Sequence, residues 1–445
     1  MVIKDIELLK QANEEGKYRP QPLSDYEIKV LDNQLFAVNS TMWNNPLCLR
    51  FDADKVDVMW LYEAASRLLL LHPVLDTRIF IDIDGEFKKQ ICPGFVRPNL
   101  NRNVSEADMP AILSSYPKAF ELINSPLTMI HIYETEKYIY LINDAHHIII
   151  DGTSGSVFVS ELARQYGPVA CESEEDLFTG HSILEYKYRQ TEEYNEEKKY
   201  YEEAYGNRDW CNMPTPDFAE TDNKLGHCPM SLGVSLDDIK AAEKTCRTTR
   251  ARLANAAGLL ALAKHCQKDA LMITWIYSNR MEKWKHNMIG LLIRELPIGI
   301  NISEMTVLDD LYKSINKQMK ESTKRISYQY IVEHESTLAN DCMEVNYKGS
   351  AMGIENMVQY LGELGQSAVR IPLENEITDA EARLEIDVYE DPSASPENQL
   401  YINPTYMASI FKDETIKGFL TTYCLMFQRL VKACKTTPIS ELLAD

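Results

Sequence analysis

His146-His147-Ile148-Ile149-Ile150-Asp151-Gly152 sets a paired histidine, a carboxylate and a turn glycine within seven residues, directly after an apolar run. Upstream, residues 137–144 (KYIYLIND) are apolar and rich in β-formers, and 127–133 form a similar run. The two predict neighbouring strands joined by a short polar turn around 134–136, with the histidines at a strand end. Ile148 to Ile150 are apolar enough to be buried, and Asp151-Gly152 predicts a tight turn in which glycine takes a positive φ. Thr153 or Ser154 is placed to cap a helix whose apolar face is Val157, Phe158, Leu162 and Ala163. Neighbouring strand residues point to opposite sides, so one histidine is expected to face substrate while the other is held by the structure.

Imidazole titrates near pH 6.5, which suits a base working at neutral pH. His147 is the candidate base, and His146 is expected to matter more for folding than for rate. Asp151 either orients the imidazole directly or pairs with an arginine that braces the loop, and spacing leaves both open. A lone histidine in such a run is most often a hydrogen-bonded core residue. The complete heptad is what points to an active site.

That heptad resembles the H-H-x-x-x-D-G signature of condensation domains of nonribosomal peptide synthetases, relatives of chloramphenicol acetyltransferase. Other segments fall in the family's order. Pro22-Leu23-Ser24 is similar to the start of its first motif, and residues 71–79 (LHPVLDTRI) to R-H-E-x-L-R-T-x-F. Residues 182–190 (SILEYKYRQ) resemble Y-x-D-Y-x-x-W-Q, and Arg280, followed by Ile289-Gly290 and Leu296-Pro297, is similar in spacing to G-R…I-G-F-F-V-N-T-L-P. The departures are specific. Leu71 and Asp76 stand where the family usually carries arginine, with Arg78 just beyond, and Glu27 stands for glutamine. Asn279 replaces glycine, Leu291 and Leu292 replace aromatics, and Arg294-Glu295 replaces Asn-Thr.

The resemblance implies an α/β fold of two chloramphenicol acetyltransferase-like sandwich lobes arranged in a V, with the heptad in a central active-site tunnel. It implies an amide-forming acyltransferase, in which the amine of a carrier-bound aminoacyl acceptor attacks a thioester-bound acyl or peptidyl donor. His147 would position that amine or take its proton. Asp151 would make a structural ion pair, with Arg280 as the partner given Leu71 and Asp76, and Gly152 would permit the turn. No tightly bound cofactor is expected. Substrates would arrive as phosphopantetheine thioesters on donor and acceptor carrier proteins, or as acyl-coenzyme A. Residues 439–443 (ISELL) resemble the segment leading to an adenylation domain, so an adjacent adenylation domain is expected. The domain would be either internal or first in its assembly line: the polar residues before Pro22 suggest a natural beginning, and a first domain would N-acylate the first amino acid, giving a lipopeptide. The alternatives are a free-standing coenzyme A-dependent O- or N-acyltransferase of the same superfamily, or a non-catalytic docking member. An epimerization domain fits less well, because a tryptophan usually follows its Asp-Gly, where this chain has Thr153-Ser154-Gly155.

Length agrees with that reading, since 445 residues suit two packed units. Apolar periodicity lapses across 166–180 (YGPVACESEEDLFTG), giving expected lobes of 1–175 and 176–445. In the first, 56–71 reads as a helix after Asp52 or Asp54, and 78–84 as a strand. In the second, helices are expected at 235–247, 251–268, 307–322 and 413–434. Strands are expected there at 271–277, 289–302, 344–347, 383–389 and 399–404.

Hydrophobic content of 45%, with no apolar run near the length of a membrane span and no secretory leader, predicts a soluble cytoplasmic protein, taken as a monomer. Ten cysteines without a C-x-x-C read as reduced thiols, so neither a disulfide frame nor a metal site is expected. The net charge of −21 argues against nucleic-acid binding, which needs a basic face. Residues 176–183 (DLFTGHSI) are similar to the serine site at which carriers receive phosphopantetheine, but the second glycine before Ser182 is missing. The chain is therefore expected to carry no arm of its own.

Overall fold

The computed structural model describes residues 5–444, apart from 207, 223, 335–341, 350–353, 374–379 and 381. The first sheet is built on β1 (Leu47–Asp52), β2 (Thr128–Glu134) and β3 (Tyr138–Ala145). β3 lies at the centre of five strands, antiparallel to β1 and to β2. It is buried along nearly its whole length, which is why its sequence is apolar without alternation. Five helices accompany this sheet: α1 (Ile6–Gly16), α2 (Asp25–Phe36), α3 (Val58–Leu71), α4 (Gly152–Gln165) and α5 (Phe178–Tyr188). Leu61 and Leu68 of α3, Val159 and Leu162 of α4 and Ile130, Ile132 and Leu141 of the strands share one core.

Local chemistry sets the element ends. α3 starts later than its sequence suggests because Asp57, rather than Asp52 or Asp54, caps it, accepting the Met59 and Trp60 N–H groups at 2.8 and 3.2 Å. The strand expected at 78–84 is shorter, Thr77–Ile81, because Gly85 takes φ +82° in a turn that leads back along Phe87–Ile91. The G-H-S-I segment lies inside α5. There Gly180 meets α1 so closely that a Cβ would stand 2.4 Å from the Leu9 carbonyl oxygen, so the glycine serves a helix contact.

The second lobe centres on α6 (Arg250–Cys266), β4 (Ala270–Tyr277), β5 (Arg294–Asn301), β6 (Glu344–Gly349), β7 (Leu384–Glu390), β8 (Leu400–Met407) and α7 (Asp413–Lys432). Its strands run in the order β5-β4-β6-β7-β8, with β6 parallel to both neighbours. α6 is buried on almost every side, which accounts for its alanine- and leucine-rich sequence. Along β7, Leu384, Ile386 and Val388 pack in the core with α6 and α7, so the alternating Glu385, Asp387 and Tyr389 face the other side of the sheet.

The strand expected over 289–302 forms only as β5, Arg294–Asn301. Met288, Ile289, Leu291 and Leu292 are apolar because they are buried in the first lobe's core. Their stretch needs no strand partner, since first-lobe side chains take its backbone N–H groups: Asp176 takes Ile289, Ser154 takes Gly290 and Asp151 takes Leu292. A second crossing occurs at Ala368–Arg370, which pairs antiparallel with β1, while Leu361 and Leu364 join the first core. A division after residue 175 assigns both crossing segments to the second lobe by sequence, although they pack in the first. Among the described residues no helix is long and apolar enough to cross a membrane.

Candidate active site

Beyond Ala145 the pairing of β3 with the chain leading into β1 continues. The Asn45 N–H donates to the Ala145 carbonyl (3.0 Å), Asn44 bridges His146, and the His147 N–H donates to the Trp43 carbonyl (2.7 Å). The two-residue alternation therefore carries past the strand end. Asn143, Ala145 and His147 share a face, and that face lines a cavity of about 660 Å³ between the lobes.

His146 points the other way and is 0% exposed. Its Nδ1 accepts the Ile148 N–H at 3.2 Å and its Nε2–H donates to Gln34 Oε1 at 3.3 Å, with Phe120 edge-on at 5.7 Å. Burial, reinforced by the neighbouring His147, pushes its pKa down to about 3, so it is neutral at physiological pH. His147 is only partly enclosed and packs edge-to-face on Trp43 at 5.8 Å. Burial also lowers its pKa, against a smaller opposing pull from the Asp151 carboxylate. Among the described residues nothing hydrogen-bonds its buried Nδ1.

Asp151 does not bond His147. Its carboxylate lies 3.0 Å from the Arg280 guanidinium, accepts the Ser154 N–H (2.9 Å) and hydroxyl (3.0 Å) through the same Oδ1, and accepts the Leu292 N–H (3.1 Å) through Oδ2. Asp151 is thereby the cap of α4, in a reciprocal box with Ser154, where the sequence suggested Thr153 or Ser154. Arg280 also donates to the carbonyls of Lys285 (2.9 Å) and Met288 (2.7 Å), which fixes the loop that crosses between lobes. Gly152 is the first residue of α4 and lines the cavity. The expectation of a positive φ there is corrected: the positive-φ glycines of the described residues lie elsewhere, at Gly85 and Gly94 among others. As the first helical residue, its lack of a side chain leaves the helix end open to the cavity.

Several positions that depart from the family pattern are engaged in contacts of their own. Asp76 accepts the Gly94 and Val96 N–H groups at 2.9 and 2.7 Å, bracing a loop. Glu27 pairs with the buried Lys89 at 2.6 Å while completing the Ser24 cap. Arg294 pairs with Glu185 and donates to the carbonyls of Ile326, Leu292 and Ile293, and Glu295 pairs with Lys29 at 3.2 Å. The second lobe also presents Glu344, Lys348 and Glu385 to the cavity, residues that sequence reasoning did not single out. Their signal was a polar or charged residue at every second position of the strands, which ordinarily marks a solvated face.

The chain thus combines a two-lobed α/β architecture with a histidine on the wall of the cavity between the lobes. Residues 21–444 match the family described as the condensation domain, and the chain belongs to that family. Tyrocidine synthase 2 of Brevibacillus parabrevis is 25% identical over 304 residues, covering 64% of this chain and 8% of that protein. Surfactin synthase subunit 2 of Bacillus subtilis is 31% identical over 170 residues, covering 36% of this chain and 4% of that protein. The chain thus spans under a tenth of the length of these relatives. Among solved structures, the X-domain from teicoplanin biosynthesis superposes with a TM-score of 0.76 at 16% identity, covering 95% of this chain and 97% of that one. The starter condensation domain of rhizomide synthetase gives 0.73 at 15% identity, covering 96% and 100%.

Proposed function

We propose that this chain joins a thioester-bound acyl or peptidyl donor to the amine of a carrier-bound aminoacyl acceptor in nonribosomal peptide synthesis. The observation that carries the reading is His147: a neutral imidazole at the end of β3, anchored through its backbone to Trp43 and set on the wall of a cavity that both lobes line. Its Nδ1 is buried, which leaves Nε2 for substrate. An α-amino group titrates near pH 8 and must be neutral to attack. Its nitrogen forms a bond to the thioester carbon, the carbon–sulfur bond breaks, and the thiolate leaves. The proton lost from the amine passes to His147 and from there to the departing sulfur. Holding donor and acceptor arms in one cavity supplies the rest by replacing a bimolecular encounter. Asp151 and Arg280 act through position, by fixing the end of α4 and the 288–292 loop beside the histidine.

Donor and acceptor carrier proteins are the partners this reading requires, with an adjacent adenylation domain. The test is intact-mass detection of product when the chain is mixed with an aminoacyl carrier and an acyl donor, offered on a carrier or on coenzyme A, beside His147→Ala. Product on the aminoacyl carrier that disappears in the variant supports the reading, and preference for the coenzyme A donor supports a starter role. Absence of product across a broad donor panel counts against it.

A further inference from the structure

The side of the second-lobe sheet that faces away from its core carries a charge imbalance inside the cavity. On β6 and β7, Lys348 Nζ lies 2.5 Å from Asp387 Oδ2 and 3.4 Å from Glu385 Oε1. Glu344, four residues before Lys348 on β6, is met by the neutral Asn346 amide at 2.6 Å. Glu344, Lys348 and Glu385 line the cavity, and Asp387 is buried behind them. Among the described residues three carboxylates therefore share one ammonium on a half-buried wall. Separately, Asn255 is 2% exposed and lines the same cavity, and its Oδ1 has no partner among the described residues. A buried acceptor left unmet is costly, and natural structures keep few of them.

We propose that this wall recognises a cationic side chain on the aminoacyl substrate, a primary ammonium or guanidinium held by Glu344 and Glu385. The inference rests on the condensation reading for the identity of the cavity's occupant. The group bound here is not the reacting amine, because a carboxylate pair keeps an ammonium protonated and so unreactive, whereas the nucleophile must be neutral. His147, Glu344, Lys348 and Glu385 all line the one cavity, so the wall shares the space of a substrate held at that histidine. Proton uptake fits the same imbalance. Burial first, and then Glu385, raise Glu344 well above the usual carboxylate range and Asp387 to about 7. A bound cation would replace those protons.

The test uses two probes with the same backbone: the non-hydrolysable amide analogues of lysyl- and norleucyl-N-acetylcysteamine, titrated calorimetrically into the full chain. Both carry the α-amine, so the difference isolates the side-chain charge. Lysyl is expected to bind about tenfold more tightly, the effect of one charge-assisted hydrogen bond. Glu344→Gln and Glu385→Gln, checked for unchanged thermal midpoint, should each bring the two probes to within about twofold of one another. Equal affinity in the wild type, no measurable binding of either probe, or a gap that survives both substitutions overturns the assignment. Failure of the condensation reading shows differently, as absent product with lysyl and norleucyl carriers alike in the mass assay, whatever the titrations give.

Discussion

Arg280→Met tests how the two lobes are fastened beside His147. The guanidinium is 5% exposed and Asp151 is fully enclosed, at 3.0 Å. Removing one member of such a pair leaves a buried charge unmatched, which costs about 3–5 kcal/mol. Asp151 keeps the N–H groups of Ser154 and Leu292 and the Ser154 hydroxyl, so the lower end, about 3 kcal/mol, is expected. The carbonyls of Lys285 and Met288 lose their donor at the same time. The assay is equilibrium urea unfolding of the wild type, Arg280→Met, Asp151→Asn and the double variant. If the pair acts as a unit, the double variant loses less than the two singles together, by about 2 kcal/mol. Arg280 does not line the cavity, so its effect on turnover passes through the start of α4 and the 288–292 loop, and product formation should fall in the same samples. Stability within about 0.5 kcal/mol of wild type, with unchanged turnover and additive singles, would refute the bracing role.

His147→Ala should reduce product formation by about 10²–10⁴-fold at nearly unchanged stability, and a smaller loss would mean that position alone carries the step. His146→Ala should do the reverse, lowering stability by about 3 kcal/mol as Gln34 and Phe120 lose their neighbour, measured by denaturant midpoint. His147 is active when neutral and its pKa is lowered, so the acid limb of kcat/KM should have its midpoint below about pH 6.5; a midpoint at or above 7 contradicts the assignment. His146 and His181 are both pushed to about 3 by burial, so the unfolded chain binds more protons than the folded one below the ordinary histidine pKa. Stability should therefore fall as pH drops from about 6.5 towards 3, by about 1.4 kcal/mol per pH unit for each histidine, and removing His146 should flatten the slope. Gly152→Leu would place a side chain in the cavity mouth of α4 and should cut turnover without unfolding the chain, checked by thermal midpoint beside the mass assay.

What could be read from the sequence was what local chemistry determines. The hairpin of β2 and β3, the helix after Asp151 and the long buried α6 follow from runs of apolar residues and their spacing. The caps were harder, because Asp52, Asp54 and Asp57 compete over a few residues and only geometry chooses Asp57. The strand expected from 289 failed for a tertiary reason: its apolar residues answer to the first lobe's core, and side chains from Asp151, Ser154 and Asp176 do the work of a neighbouring strand. At the site, the heptad marked His147 and Asp151, while pairing with an arginine more than a hundred residues away in sequence became visible only through the resemblance and then in the distance. The charged cavity wall was hidden because a strand with alternating carboxylates looks the same whether it faces bulk water or a substrate channel.

The segments that cross between lobes also bear on recombination. Residues 288–292 complete the first lobe's core and the Ala368–Arg370 strand the edge of its sheet, whose other strands lie well over a hundred residues earlier in the chain. A chimera that joins the first half of this chain to the second half of a relative would import foreign versions of those pieces, against Phe51, Ser154 and Asp151 that had never met them. Productive exchange would need seams drawn around spatial bodies, with the crossing segments travelling alongside the first lobe; a single cut in the linear order separates neighbours that depend on each other.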